Sequence, residues 1–583
     1  MYLKTNQKYL APWRIGLWLS AVVMTLSLFF VGGGQDIEFW RSWIIQLQTG
    51  GYHALDANYP PLLLHWFRLF AWLNECLGIF PHGDGLVKGW TQLPIFISHL
   101  YLLALVGKEL SQQGLNPLHS ATFWLTAFNP ALLHNGPIWG QVDLLPFIPV
   151  YFALVFAMDE RRAQWSWPFM AIALLCKFQA IVFVPLLCGL SLRFPKRHAL
   201  GVLGAFLAFA LAFSPFIVSG DLVKAFKNAY TNNLGIYPYS SLHAANLWYL
   251  LAGGNMLPDS NSLLTGDWAR LPIASWMTPS KLGLGLFGLS SLIIAIAATK
   301  KKQLKDVFGL AVLSMVSFFA VSSGMHERYM FLAIPFAALW GCRARQYLLW
   351  YPVLTALVYI NSNFVYPLTA DNGTWNLISI CVVLVFLVML AQVVFNRSIA
   401  GPNWMAGIAA RSPLSPYLLV VTLWVAFMVN EFGLEIKQSL PTDFGMANEI
   451  YLSSLRPEAQ QQDFGELKLG NNVDGGPLCL REHCYTQGLG THARSVIAYS
   501  IPNEARRFLA VAGLDDESQN GEVEFIVEID GHEAWRSGKV TRDMAPIMVD
   551  IPLVNAKKLM LRVEPLGEIN SDHANWADAR FER

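Results

Sequence analysis

The chain has 583 residues, 54% of them hydrophobic and 14% charged, with 21 Trp, 37 Phe and a formal net charge of +1. That balance is more apolar than a soluble domain carries. Lysine and arginine fall in small groups rather than on one basic face, which excludes nucleic acid as an expected partner and leaves lipid as the expected surroundings of most of the chain.

The opening "MYLKTNQKYLAPWR" sets Lys4, Lys8 and Arg14 before an apolar run with no small-residue cleavage site, so it reads as a retained membrane helix rather than a signal peptide. Apolar runs of spanning length then recur at 13–31, 60–79, 90–107, 118–134, 142–158, 166–192, 199–218, 281–298, 307–322, 328–341, 346–361, 375–395 and 413–432, or about thirteen crossings. Lys196/Arg197, Lys300 to Lys302 with Lys305, Arg343/Arg345 and Arg397/Arg411 share a side with the N-terminus if that end is cytoplasmic. The predicted location is thus the cell membrane, multi-pass, with the C-terminal segment extracytoplasmic. "DERR" at 159–162 falls on the other side, and a hairpin turning at Lys177 within 166–192 is the alternative. Two external loops are long, 32–59 and 219–280, and long loops tend to carry function.

Beyond about residue 440 the period shortens to two, as in "EVEFIVEID" (522–530) and "KKLMLRVEP" (557–565), between Gly, Asp, Asn and Pro clusters. The predicted architecture is therefore a polytopic α-helical membrane unit, 1–437, followed by a soluble β-sandwich, 450–583. Five cysteines lie in or beside apolar runs. Cys479 and Cys484, in "PLCLREHCYTQG", are compatible with a short-loop disulfide in an exported segment or with two free thiols.

Chemistry concentrates at the predicted external lip. Asp36, in "GGGQDIEFW", follows the first run where water meets hydrocarbon, and partial desolvation there makes a carboxylate a competent general base. Glu38, two residues on, could share its site if the segment is extended but not if it is helical. Both could equally be solvated charges at a helix end. "DANYPPLLLHWF" (56–67) sets Tyr59 before Pro60 and Pro61, which suit a helix start. "FNPALLHNGPIWGQVD" (128–143) places His134, Asn135, Gln141 and Asp143 between apolar runs, as a polar site or a satisfied turn. Lys177 interrupts an apolar run and needs a lipid phosphate, a pairing with Asp143 or a snorkelled path to water. "SSGMHERYMFL" (322–332) sets His326, Glu327 and Arg328 at a span's start, with donors suited to phosphate oxygens or to a structural network. No Walker motif, nucleotide-binding glycine fingerprint, Ser-His-Asp signature or zinc-spaced Cys/His set occurs.

Taken in order, Asp36, "YPPL" at 59–62, "LLHNGPIWGQVD", "CKFQAIVFVPLL" and "MHERYMFLAIP" resemble the GT-C superfamily of polyprenyl-phosphate-sugar-dependent glycosyltransferases, over about residues 13–432. The resemblance implies a hexosyltransferase with Asp36 as general base, His326, Glu327, Arg328 and Lys177 at the donor phosphate or lipid, and Tyr59, His134, Asn135, Gln141 and Asp143 at substrate. It implies a polyprenyl-phosphate sugar donor and a glycan or lipid-linked acceptor, transfer with inversion and no soluble cofactor. Asp36-Ile37-Glu38 stands where some relatives have Asp-x-Asp, which leaves a divalent cation open, and Asn58 stands where an acid usually precedes Tyr-Pro-Pro.

The tail, through "GLGTHARS" (488–495), "LDDE" (514–517), "VEFIVEIDG" (523–531), "WRSG" (535–538) and "DHANWADARF" (572–581), resembles the NPCBM carbohydrate-binding modules over 450–583. That resemblance implies a β-sandwich with a glycan site at Trp576, His492 and Asp572, and with Trp576 and Trp535 able to stack on sugar faces; buried tryptophans in such sandwiches are often structural, which is the reading favoured for Trp535. Two other functions compete: a transporter or flippase of lipid-linked sugar, for which matched Gly/Pro-broken halves are lacking, and a membrane-anchored glycan-binding protein, which would need one span.

Overall fold

The computed structural model describes residues 13–28, 34–77, 84–232, 239–252, 258–260, 262–263, 276–362, 372–395 and, with a few gaps, 449–582. The chain divides into two compact units, Met1–Asn430 and Glu431–Arg583. The first is helical. Five of its described helices are long and apolar enough to cross a membrane: Val87–Gln112, Pro195–Val218, Pro279–Lys300, Leu304–Val321 and Trp375–Val393. Pro195–Val218 leaves Leu200, Leu203, Phe206, Leu207, Leu211 and Val218 exposed, as expected of a helix whose outer face meets lipid rather than water. Leu304–Val321 is instead buried from Val307 to Val321 on nearly every side, which places it inside the bundle.

The predicted runs do not become about thirteen uninterrupted crossings. The run 118–134 breaks into Ala121–Ala127 and Pro130–Leu133, since Pro130 lacks the N–H that would continue the first helix, and Asn129 caps the second by accepting from the Leu132 N–H at 3.1 Å. The run 166–192 breaks at Lys177, whose extended backbone (φ −158°, ψ 133°) separates helix Ser166–Cys176 from a 3-10 segment, Phe178–Phe183, and helix Val184–Ser191. Each break delivers a polar side chain at membrane depth, where irregular backbone is tolerated only inside protein. The predicted run 413–432 lies outside the described residues.

The two long loops are partly ordered as secondary structure. Loop 32–59 holds helix Gly34–Gly50, and Pro61 opens helix Pro61–Leu77. Within 219–280, Ser241–Leu242 pairs in parallel with Met325–His326, tying that loop to the His-Glu-Arg motif.

The second unit is a β-sandwich. One sheet runs Ile547–Pro552, Arg507–Leu514, His573–Glu582, Gly488–His492, Lys468–Leu469, with Glu449–Tyr451 also on His573–Glu582. The other runs His532–Thr541, Glu522–Ile529, Lys558–Pro565, Ser495–Ser500, Ala459–Gln461. The two strands read from period-two alternation are neighbours, paired antiparallel from Val523↔Pro565 to Ile529↔Leu559. Their inward residues Val523, Phe525, Val527, Leu559, Leu561 and Val563 join Phe508, Ala512, Trp576 and Phe581 in one core. Cys479 is disulfide-bonded, and Cys484 stands directly opposite it in the hairpin Leu478–Leu480/His483–Tyr485.

Candidate functional site

The helix Gly34–Gly50 carries Asp36 in its first turn, the end where a carboxylate is favoured. The chain beyond Leu133 continues as a π-helical turn, His134–Ile138, containing Pro137, and Gly140 reverses it at φ +89°. Only glycine fits there: an ideal Cβ on Gly140 would stand 2.6 Å from Ile37 Cδ1. That close approach brings Gln141 to Asp36. The Gln141 side-chain N–H donates to Asp36 Oδ2 at 2.6 Å, and the Trp40 indole N–H donates to the Gly140 carbonyl at 3.3 Å.

Two residues further on, Asp143 gathers the cations. The buried Lys177 ammonium donates to Asp143 Oδ1, Asn135 donates to Oδ2 at 2.7 Å, and Arg328 Nε lies 3.8 Å from Oδ2. Of the three answers open for Lys177, the structure holds the pairing with Asp143. Arg328 also donates to Glu327 at 2.5 Å and lies over the Trp139 face at 5.1 Å, while Lys177 lies 5.5 Å from the Tyr59 ring centroid. His326 Nδ1 is 3.5 Å from Glu327, and its strand is held by Ser241–Leu242 and by a bridge to His243.

Three carboxylates and two cations therefore lie close together, with Tyr59 and Trp139 against the cations and Tyr59 in turn packed on Trp40 and Trp43. Electrostatics follow from that setting. Burial raises the Asp36 carboxyl above its usual range; the charges of Arg328 and Lys177 oppose the rise, and those of Asp143 and Glu327 add to it. Burial would raise Glu327 too, but Arg328 and the hydrogen bond from His326 outweigh it and hold the carboxyl down at about 2. The two acids are thus pushed in opposite directions, Asp36 towards its protonated form and Glu327 towards its charged form beside Arg328.

Of the residues predicted from sequence, the structure thus unites Asp36, Tyr59, Asn135, Gln141, Asp143, Lys177, Glu327 and Arg328. His326 flanks the group, and His134 stands behind Trp139, edge-on to it and to Tyr359. Glu38 is corrected as a joint catalytic partner. Its segment is helical, and residues two apart on a helix point about 200° from each other; the Glu38 side chain lies outside the described ones.

Four residues of the site are not predicted from sequence: Trp139 as a face for Arg328, Trp40, Gln92 and His243. Trp139 lies in the segment 128–143, but a tryptophan among apolar residues reads as core. Gln92 and His243 gave no signal beyond being polar.

In the second unit, Trp576 is corrected: its side chain is 0% exposed and packs edge-on against Phe525 at 5.0 Å, so it cannot stack on a sugar. Asp572 is buried as well and accepts from the Glu522 N–H at 3.0 Å, a scaffolding role. Trp535 packs against Trp576 at 6.5 Å. His492 is nearly buried between His573 (5.6 Å) and the exposed ring of Phe464 (5.2 Å), and His573 Nδ1 lies 3.2 Å from Asp474. Among the described residues, Asp474, Glu517 and His573 converge closely enough to share a metal ion.

Residues 448–582 match the NPCBM/NEW2 domain. An alpha-1,3-galactosidase B of Akkermansia muciniphila is 31% identical over 123 residues, 20% of this chain and 16% of the relative, so the chain spans a small part of that protein's length. The structure of ArnT from Cupriavidus metallidurans is similar over 72% of this chain and 76% of its own, at 16% identity and a TM-score of 0.39. Arabinosyltransferase EmbB from Mycobacterium smegmatis is similar over 100% of this chain and 65% of its own, at 13% identity and a TM-score of 0.33. The chain is a helical unit with membrane-type helices followed by a β-sheet NPCBM/NEW2 domain.

Proposed function

We propose that this chain is an integral-membrane glycosyltransferase that moves a hexose from a polyprenyl-phosphate donor to an extracytoplasmic glycan or lipid-linked acceptor, with inversion. One observation carries the reading: Asp36, raised in basicity and bonded by Gln141, shares a network with the Lys177–Asp143–Arg328–Glu327 cluster. Asp36 takes the proton of an acceptor hydroxyl as that oxygen bonds the anomeric carbon. The bond from that carbon to the phosphate oxygen breaks, and the lipid phosphate leaves with the electron pair. Arg328, with N–H groups beyond those given to Glu327, and Lys177 neutralise the charge that develops on it, so the protein contributes positioning, proton removal and electrostatics. Tyr59 and Trp139 flank the two cations, and His134 backs Trp139.

The second unit extends the reading to glycan binding, in keeping with its likeness to a module of a galactosidase. The edge formed by Phe464, His492 and His573 is the place offered, since an exposed ring can lie on a sugar face while imidazoles hydrogen-bond hydroxyls. The test of the main reading is hexose transfer from polyprenyl-phosphate hexose by the purified full chain in proteoliposomes. Asp36→Asn is expected to reduce kcat by at least about a hundredfold with donor binding retained; normal turnover by a folded Asp36→Asn protein removes the assigned base.

A further inference from the structure

Three buried side-chain amides are linked to Asp36 and Asp143, two directly and Gln92 through the Gln141 backbone, and each has its N–H committed to an acceptor. Gln141 uses its N–H on the Asp36 carboxylate at 2.6 Å, and Asn135 uses its N–H on the Asp143 carboxylate at 2.7 Å. Gln92, fully buried on the helix Asp84–Gln112, uses its N–H on the Gln141 backbone carbonyl at 3.0 Å. Each partner is an oxygen that can only accept, so none of the three amides can flip without placing two acceptors together. Their carbonyl oxygens, Gln92 Oε1, Asn135 Oδ1 and Gln141 Oε1, consequently face away, buried and without a partner among the described residues.

A buried amide oxygen left unanswered costs free energy, and such groups are rare unless a donor arrives from elsewhere. Orphaned polar atoms occur at other places in this chain, but here three acceptors are fixed by one continuous set of bonds. The Gln141 backbone N–H donates to the Asn135 backbone carbonyl at 2.9 Å, and Gly136 leaves the Gln92 side-chain oxygen uncovered, because an ideal Cβ at Gly136 would stand 3.2 Å from it. Sugar hydroxyls are donors of the kind such oxygens accept from. The position also decides which molecule. Asn135 is bonded to the carboxylate that holds Lys177 and neighbours Arg328, so a ligand fastened to those cations by its phosphate would put its attached sugar beside the amides.

We propose that Gln92, together with Asn135 and Gln141, reads hydroxyl groups of the sugar carried on the lipid phosphate, with Gln92 a specificity-determining residue. This rests on the glycosyl-transfer reading for its ligand class, but its test is binding rather than turnover. The full chain in lipid nanodiscs is titrated with polyprenyl phosphate and with polyprenyl-phosphate-linked mannose, glucose and their monodeoxy forms. The expected result is tighter binding of one sugar-bearing lipid than of the bare lipid, a preference that falls about tenfold in Gln92→Met while bare-lipid binding stays within about twofold. The variant is further expected to lose sensitivity to one particular deoxy position. An unchanged preference overturns the proposal, as does an equal loss in both arms by a folded variant or a wild-type protein indifferent to the sugar. If Gln92→Met lowers the unfolding temperature, Gln92→Asn, which keeps the amide and retracts its oxygen by one methylene, is judged by the same two ratios. Turnover by Asp36→Asn would defeat the general-base assignment and leave these ratios readable.

Discussion

Replacing Gln141 by Met removes one hydrogen bond from Asp36, the proposed general base, and little volume. The Gln141 N–H reaches Asp36 Oδ2 at 2.6 Å, and Asp36 is half-buried. A hydrogen bond to an ionised group in such a setting contributes about 1.5–3 kcal/mol. It acts only on the charged carboxylate, so its loss destabilises that form by this amount relative to the protonated acid. At about 1.36 kcal/mol per pH unit, the Asp36 pKa, already raised by burial, rises further by about one to two units. Since a general base works only when ionised, the acid limb of the pH profile of kcat/KM moves to higher pH by that interval, while the rate at high pH is largely kept. The assay is hexose transfer from polyprenyl-phosphate hexose across about pH 4–9, with Gln141→Glu as a second probe that adds a like charge and moves the limb the same way. A limb that stays in place, or moves down, while the high-pH rate collapses would show that Gln141 serves another purpose and that Asp36 does not limit the acid side.

Lys177→Met leaves the buried Asp143 carboxylate with the Asn135 hydrogen bond and the more distant Arg328 but no directly paired cation; with side-chain exposures of 5% and 7% for the Lys177–Asp143 pair, the loss should be about 3–5 kcal/mol, read by denaturant unfolding in detergent and partly recovered by adding Asp143→Asn. Glu327, depressed from 4.5 to about 2, gives stability that is complete above its unfolded value and is lost as pH falls from about 4.5 to about 2; Glu327→Gln should flatten unfolding temperature against pH in that window. Trp576→Ala should cost about 3–5 kcal/mol in the unfolding transition of the second unit within the full chain, because the residue fills the core rather than a sugar site.

Asp36, the 134–143 motif, Lys177 and the His-Glu-Arg cluster were legible because an ionisable group in an apolar run needs a reason, and composition alone exposes it. The period-two strands of the second unit were legible for a similar reason, since alternation reports one buried face. Trp139 and Gln92 were not, because a tryptophan or an amide in a helix looks the same whether it packs, caps or binds. Trp576 was misread on this ground: residues that face the core and residues that face a ligand differ in direction, not in type. Glu38 failed on backbone form, since its pairing with Asp36 required an extended segment and the chain is helical there.

By itself the sequence determined which part of the chain is built of long apolar helices and which of strands, the order of elements and the chemical types available to the site, because hydrophobic length and period are local properties. Only the tertiary structure decided that Gly140 abuts Ile37, that Gln141 therefore reaches Asp36, and that Lys177 answers Asp143 across 34 positions. Those choices depend on distances between segments remote in the chain, set by how whole helices pack, and no local pattern encodes them.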